Sequence, residues 1–436
     1  MKAGTAPSSV WRGVVAGAAR HRQGWPGWLR LVVAMVVSGV VVGVAAALLT
    51  MLLHGVQHLA FGYVEGSFLV GVEHSDPLTR IVAPTVGGVL SGLGWMVLRK
   101  RRIPRVEEGV ALRPRRLPVG RLSVDAMLQV VAVGTGSSIG REGAPRQVGG
   151  ALASAASTLA GLPIDLRRRL VAAGAGAGLA VVYNVPLSGV VFAAEVLAGG
   201  FGPLALLVST VVCGTAVVVS WPLLGDASTY VYPGGSLDLS IWWWAVLGAP
   251  LAAGLGGLFD LMLRGAERLR PEPSWRLPLW AGLGGLVVGT LSVWWPSLPG
   301  NGKGIVQLAF AGGAAFAAFA VLVVLKPLAT SVSYGSGIAG GFLTPALGAG
   351  AALGSAVALA GEAAGQHWSV AGFALIGAVG VLAARQGTPW FAATFGWELA
   401  HPPLLMAIPL LLAAWAATLV VRLVRGRRDG PRPVEN

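Results

Sequence analysis

The chain has 436 residues, 55% of them hydrophobic and only 11% charged, with a mean hydropathy of +0.72. A soluble protein carries about a quarter of its residues as Asp, Glu, Lys and Arg, so a soluble enzyme or nucleic-acid-binding domain is excluded and a polytopic membrane protein is expected. The net charge of +14 then reads as a topology signal, and the lone Cys213 excludes an internal disulfide or a Cys-rich metal site and reads as small apolar filler.

In chain order, a basic arm with Arg12, Arg20, Arg22 and Arg30 precedes the first apolar run, Leu31–Leu53. That run is too long for a signal-peptide core, and no clear small-residue cleavage site follows, so it is expected to be retained. Basic residues cluster again in the loop Arg99–Arg121, the triplet Arg167–Arg169 and the tail Arg422–Arg428. The positive-inside rule puts all four clusters, and both termini, in the cytoplasm. The stretch from Arg121 to Arg167 must therefore leave that face and return. Its roughly 45 residues suffice for two passes only as helix, at about 1.5 Å per residue.

Near the middle of this stretch lies GTGSSIGREGAPRQVGG, residues 134 to 150. An ionisable side chain at membrane depth costs about 2.5 kcal/mol or more and marks function by default. Broken backbone is tolerated there only inside protein or beside a water-filled cavity. Glu142 is thus expected in a protein-lined interior, at the N-terminal end of a half-helix that runs through Gln147 and Ala151.

The second half repeats the plan. Trp242–Leu263, Leu279–Trp295 and Phe310–Leu325 are apolar spans, and the break YGSGIAGGFLTPALGAGAALG, residues 334 to 354, follows before the last span, Leu404–Val421. Trp242–Trp244, Trp294 and Trp295 suit interfacial anchoring. Each half places its break about 100 residues after its first long span, the pattern of an internal, inverted repeat of the transporter kind. The expected division is a cytoplasmic arm (1–29), a first transmembrane repeat (30–218), a connecting loop (219–240), a second repeat (241–425) and a short polar cytoplasmic tail (426–436).

A half-helix N-terminus presents unpaired N–H groups and about half a positive charge, which makes it an anion site. Two such ends facing each other near the midplane can hold a small dehydrated anion without a fixed cation, weakly enough for release. Pro145 and Pro345 suit first turns. Glu142, ionised, can occupy the anion position and close it; protonated, it can swing away and carry a proton. The plainer alternative is a structural ion pair with Arg141 or Arg146.

GREGAPRQ resembles the GREGP-type motif of the CLC family of chloride channels and chloride/proton antiporters. Residues 172 to 197, AAGAGAGLAVVYNVPLSGVVFAAEVL, are similar to the family's second signature, and GSGIAGGFLTPALG, residues 335 to 348, to its third. The resemblance covers residues 30 to 425. It implies an all-α polytopic membrane protein of two inverted repeats with tilted and broken helices, in the plasma (inner) membrane, acting as a homodimer with one anion pathway per subunit. By position, Glu142 corresponds to the external gating glutamate. The backbone at Arg141 and Gly143 corresponds to the external site, and that at Phe342 and Leu343 to the central site.

Three departures stand out. The family's GSGIP motif falls on KRRIP, residues 100 to 104, so Ile103 and Pro104 match while Arg101 replaces the serine that serves the inner mouth. Arg101 either faces the pathway or is a topology charge. The internal proton-relaying glutamate of the antiporters falls on Val196; its neighbour Glu195 is either a structural helix residue or a displaced relay. The family's last-helix tyrosine has no counterpart here. Lys326 could attract anions or fix a helix end, and Glu398 reads as a buried hydrogen-bonding residue.

GAGAG (174–178) and GLGGLVVG (282–289) fit close helix packing better than dinucleotide binding. GNGKG (300–304) lacks the spacing of a phosphate loop. The six His show no metal spacing, and no nucleophile–base pair suggests an intramembrane hydrolase. The expectation is a non-enzymatic chloride transporter without cofactors, channel-like or weakly proton-coupled and gated by Glu142. A stoichiometric chloride/proton antiporter is the alternative; a fluoride-selective relative and a non-transporting scaffold stand behind it. Expected partners are chloride, protons, the lipid bilayer and a second copy, but no nucleic acid.

Overall fold

The computed structural model describes residues 26–111, 117–234 and 238–426. The basic arm up to residue 25 and the tail from 427 onward lie outside the described residues. Every regular element among those described is helical.

The first helix, α1 (Gly27–Phe61), has 35 residues and ends where Gly62 turns left-handed at φ 67°. At 1.5 Å per residue it is about 52 Å long, well beyond a hydrocarbon core of about 30 Å, so it tilts or projects. A short α2 (Phe68–His74), capped by Ser67, leads into α3 (Pro77–Leu98). Then come α4 (Val106–Val110), α5 (Val119–Gly134), α6 (Gly143–Leu159) and α7 (Ile164–Tyr183), which stops at left-handed Asn184. Next, α8 (Pro186–Val191) widens into a π-helical turn over Phe192–Leu197, and α9 (Pro203–Leu224) follows.

The second half holds α10 (Leu239–Leu247), α11 (Ala249–Arg268), α12 (Arg276–Trp294) and α13 (Lys303–Ala311). It continues with α14 (Phe316–Gly335), α15 (Leu343–Ala363), α16 (Val370–Gln386), α17 (Pro389–Ala400) and α18 (Ala407–Arg425).

Three expected boundaries differ. Phe310–Leu325 is not one span: α13 stops at Ala311, Gly312 turns left-handed at φ 68°, and α14 starts at Phe316. Trp242–Leu263 is bent by 46° between α10 and α11, at Gly248. Finally, α9 continues to Leu224, beyond the expected repeat end at 218.

The two halves place their breaks and the helices that follow them alike. The break between α5 and α6 corresponds to that between α14 and α15, and α6 packs on α7 as α15 packs on α16. Both pairs approach through glycines: Gly149 meets the Gly174 carbonyl, and Gly350 meets that of Gly377. Lipid tails offer no hydrophobic drive between helices, so close backbone approach of this kind supplies the packing energy. Across the halves, α3 lies along α12 and α8 against α17. The most enclosed span is α15. Within its apolar window 78% of residues are buried, against 33–50% for the other six helices long and apolar enough to cross. Those six leave half or more of their residues uncovered, while α15 is wrapped in protein and can carry a polar site.

Candidate functional site at the two helix breaks

The two breaks meet. Gly140 and Gly341 form an antiparallel bridge, Gly140 N–H donating to the Gly341 carbonyl at 2.7 Å and Gly341 N–H returning to Gly140 at 2.8 Å. Just past it α6 starts at Gly143 and α15 at Leu343, so both N-termini open at one point. Pro145 and Pro345 are each the third residue of their helix, where the missing N–H is an orphan anyway.

Glu142 caps α6 and is fully buried. Its carboxylate reaches across to the other repeat: Oε1 accepts from Leu343 N–H at 2.7 Å, and Oε2 accepts from the hydroxyls of Thr344 and Tyr183, both at 3.1 Å. Glycine on both sides leaves the carboxylate its place, because a β-carbon at Gly140 or Gly341 would overlap it. A carboxylate ringed by donors at a helix N-terminus occupies the place a small anion would take.

The structural ion pair is not what holds Glu142. Arg146 turns to Glu107 at 3.4 Å and lies over Phe192, while Arg141 donates to the Val182 carbonyl at 3.1 Å and stacks on Tyr183. Lys326 is buried with three acceptors, Ser138 Oγ at 2.7 Å and the Leu298 and Gly300 carbonyls at 3.0 and 2.8 Å. All three of its donors are used, so it ties the first break to the turn after α12.

Of the other expected site residues, Gly143 lies against Gly340 and Gly341. Phe342 is buried at the cap of α15, with the Tyr334 ring edge-on at 5.0 Å and the Arg385 guanidinium 5.0 Å above it. Arg101 is exposed on the loop after α3, and Ile103 packs beside Val106 and Leu117; neither touches the breaks. Besides Arg385, which lies over Phe342, two arginines hydrogen-bond the second break: Arg99 donates to the Gly337 carbonyl at 2.7 Å, and Arg270 to those of Tyr334 and Ile338 at 3.0 and 3.3 Å.

Glu195 and Glu398 form a matched pair of caps. Glu195 accepts from the N–H groups of Trp390 and Phe391 at 3.3 and 2.7 Å, the start of α17. Glu398, near the end of α17, accepts from Leu187 N–H at 2.9 Å and from the Ser188 N–H and hydroxyl at 2.5 Å, the start of α8. Each glutamate sits nine residues after its helix's own proline, Pro186 or Pro389.

A cleft of about 270 Å³ opens beside Glu142, lined by His54, Gln57, Arg141, Asn301 and Lys303 among others. It connects to the carboxylate through Asn301, which donates to the Tyr183 hydroxyl at 3.4 Å. Burial first, and then Arg141, pushes the Lys303 ammonium down to about 8. Asn301 and Lys303 belong to GNGKG, and Tyr183 to the YNVP turn; position alone did not mark them. Among the described residues no group of three or more His, Cys, Asp and Glu could hold a metal.

The family model described as "Voltage gated chloride channel" matches residues 87–422. The voltage-gated ClC-type chloride channel ClcB of Salmonella typhi is 31% identical over 332 residues, 72% of this chain and 78% of that protein. A putative chloride channel protein, ClcB-like, of Ralstonia nicotianae is 32% identical over 388 residues, 80% of this chain and 86% of its own length. Among solved structures, a slow cyanobacterial Cl⁻/H⁺ antiporter superposes with a TM-score of 0.76 at 23% identity, covering 91% of this chain and 95% of the other. A CLC-type fluoride/proton antiporter gives 0.67 at 21%, covering 90% and 95%. At these identities the two superpositions speak to the fold, whereas the family model and the curated relatives speak to descent. The chain is an integral, multi-pass membrane protein that belongs to the voltage-gated chloride channel (CLC) family of anion transporters.

Proposed function

We propose that the chain moves chloride, or a similar small anion, past the junction of its two breaks, and that Glu142 gates the passage by competing for the anion position. The observation that carries this reading is the buried Glu142 carboxylate held by Leu343 N–H and the Thr344 and Tyr183 hydroxyls. A ring of donors suits any small anion, and a tethered carboxylate is a competitor that one proton neutralises. Protonation removes the charge that the donors hold, the carboxyl leaves, and an external anion takes its place. The cationic cleft at Arg141 and Lys303 concentrates anions at that entrance.

Coupling to protons is weak in this reading, because Val196 is apolar and both oxygens of Glu195 accept from the start of α17. Stoichiometric exchange is the second reading. It is favoured by a Glu142 that is fully buried, so that its proton must travel with each opening. The exposed apolar faces of α1, α9, α12 and α18 suit lipid or a second copy of the chain, with both termini in the cytoplasm and the protein in the plasma (inner) membrane.

The test is anion efflux from liposomes with external pH recorded together, for the native chain and Glu142→Gln. The expected result is halide efflux that rises in acid in the native protein and loses its pH dependence in Glu142→Gln. Efflux with little proton movement supports the channel-like reading. Uphill proton uptake driven by chloride, and abolished in the variant, supports the exchanger. A native pH profile retained in Glu142→Gln would sink the gating role.

A further inference from the structure

The site described so far is built of donors, which suit an ionised Glu142 or an anion. A protonated carboxyl brings an O–H that needs an acceptor, and a buried acceptor stands beside it. Gln129, on α5, is 4% exposed. Its Nε2 donates to Asp125 Oδ2 at 2.7 Å and to Gln147 Oε1 at 3.3 Å. Asp125, 5% exposed, also accepts from Trp95 Nε1 at 2.8 Å and from Gln147 Nε2 at 2.9 Å. Asp125 thus accepts from three side-chain N–H groups, and both amides turn their NH₂ groups toward it. That fixes the flip of Gln129 and sends its Oε1 the other way.

There Oε1 is buried without a hydrogen-bond partner. It lies against Gly143, the residue after the gate, where an added β-carbon would sit 2.6 Å from it. Buried acceptors are nearly always satisfied, and one left open at a pathway calls for a functional account.

We propose that Gln129 Oε1 is the acceptor that receives the O–H of protonated Glu142 when the carboxyl leaves the anion position, and that Asp125 is the positioning residue that aims it. The inference rests on Glu142 being the gate. In the step, a proton from solution adds to the Glu142 carboxylate, the hydrogen bonds from Leu343, Thr344 and Tyr183 are released, and one O–H···O=C bond to Gln129 forms. Release of the proton to solution reverses it. The charged and titratable groups facing this space are Arg141 and Arg146 (paired with Glu107) on the gate's own segment, and Asp125 on α5 with Arg99 nearby. Tyr183 comes from α7, Tyr230 from the loop after α9, Lys326 from α14 and Arg385 (paired with Asp260) from α16. The cations among them attract a carboxylate or a diffusible anion alike. Gln129 is the neutral group that favours the protonated gate.

The experiment measures liposome anion efflux between pH 4.5 and 7.5 for the full chain, Gln129→Met, and both in a Glu142→Ala background. Gln129→Met should lower acid-activated efflux about tenfold, the worth of one hydrogen bond, and move its midpoint to lower pH. In Glu142→Ala the same substitution should change nothing. An unchanged acid response in Gln129→Met, or an equal fall in both backgrounds, overturns the proposal. A native pH response in Glu142→Ala alone overturns the gating reading, and this inference with it. Should Gln129→Met fail to fold, Asp125→Asn keeps the volume while freeing the Gln129 amide to flip. It should lower the acid response partly, and no change would overturn the positioning role. Acid-minus-neutral infrared spectra give a second readout. The carboxylic C=O band that disappears in Glu142→Gln should shift to higher wavenumber in Gln129→Met or Asp125→Asn, and an unmoved band counts against the contact.

Discussion

Three buried or half-buried glutamates reach from one repeat to a helix start of the other, and they differ in one respect. Glu195 and Glu398 are reciprocal, each capping the helix that carries the other. Glu142 caps the start of α15, but the residue two past the bridge on the other side, matching it across Gly140 and Gly341, is Leu343. A reciprocated pair ties α8 to α17 symmetrically and leaves no group free to exchange. An unreciprocated carboxylate fills a site whose symmetry mate is only a backbone N–H, and under the proposed function that is where a diffusible anion replaces it. The asymmetry, more than the residue type, would then separate a staple from a gate.

The sharpest way to break this comparison is to remove a staple. Glu398→Ala leaves the buried Ser188 N–H and hydroxyl, and the Leu187 N–H, without their acceptor, a cost of about 3 kcal/mol. Thermal unfolding in detergent should show a large loss, with less for Glu195→Ala because Glu195 is half-exposed. Equal, small losses would mean that the pair does not staple the repeats. On the gate, Gly341→Ala puts a β-carbon where the Glu142 carboxylate lies. Efflux at neutral pH should then rise toward the native acid level, and unchanged acid dependence would show that the carboxylate need not move. Tyr183→Phe keeps the ring against Phe395 and beneath Arg141 but removes one donor. One charge-assisted hydrogen bond is worth about 1.5 kcal/mol, so neutral efflux should increase about tenfold. The smallest effect is at the cleft. Because Lys303 loses its charge near pH 8, anion entry should fall between pH 7 and 9 in the native protein. Lys303→Met should remove that slope and lower entry at pH 7 about two- to threefold, as loss of one steering charge does. A slope that survives in Lys303→Met assigns it to another group.

Much of this was legible along the chain, for identifiable reasons. Spans such as Leu31–Leu53 announce themselves by apolar length, and GREGAP by a carboxylate in a glycine-rich stretch. Pro145 and Pro345 marked both helix starts. Hydropathy, however, does not register a left-handed glycine, so the run through Phe310 and Ala320 hid the stop at Gly312 between α13 and α14. The bend at Gly248 was hidden the same way. Partners distant in sequence were invisible: Tyr183 meets a carboxylate 41 residues away, and Asn301 meets Tyr183 across 118. Asp125 and Gln129 carry no local motif, and nothing near them in sequence says that Trp95 and Gln147 complete them. Arg101 stood out by position, yet it is Arg99, two residues earlier, that reaches the second break, because α3 ends at Leu98 and only the next side chain faces inward.

The bridge at Gly140 and Gly341 also limits how the molecule can work as a machine. Many carriers expose a site alternately by rocking one repeat against the other. Here such rocking would have to break the two backbone hydrogen bonds that join the repeats at the bridge. Turning the Glu142 side chain about its own torsions disturbs no backbone at all. In the proposed gating the moving part is a few atoms rather than a domain, and the scaffold itself can stay still.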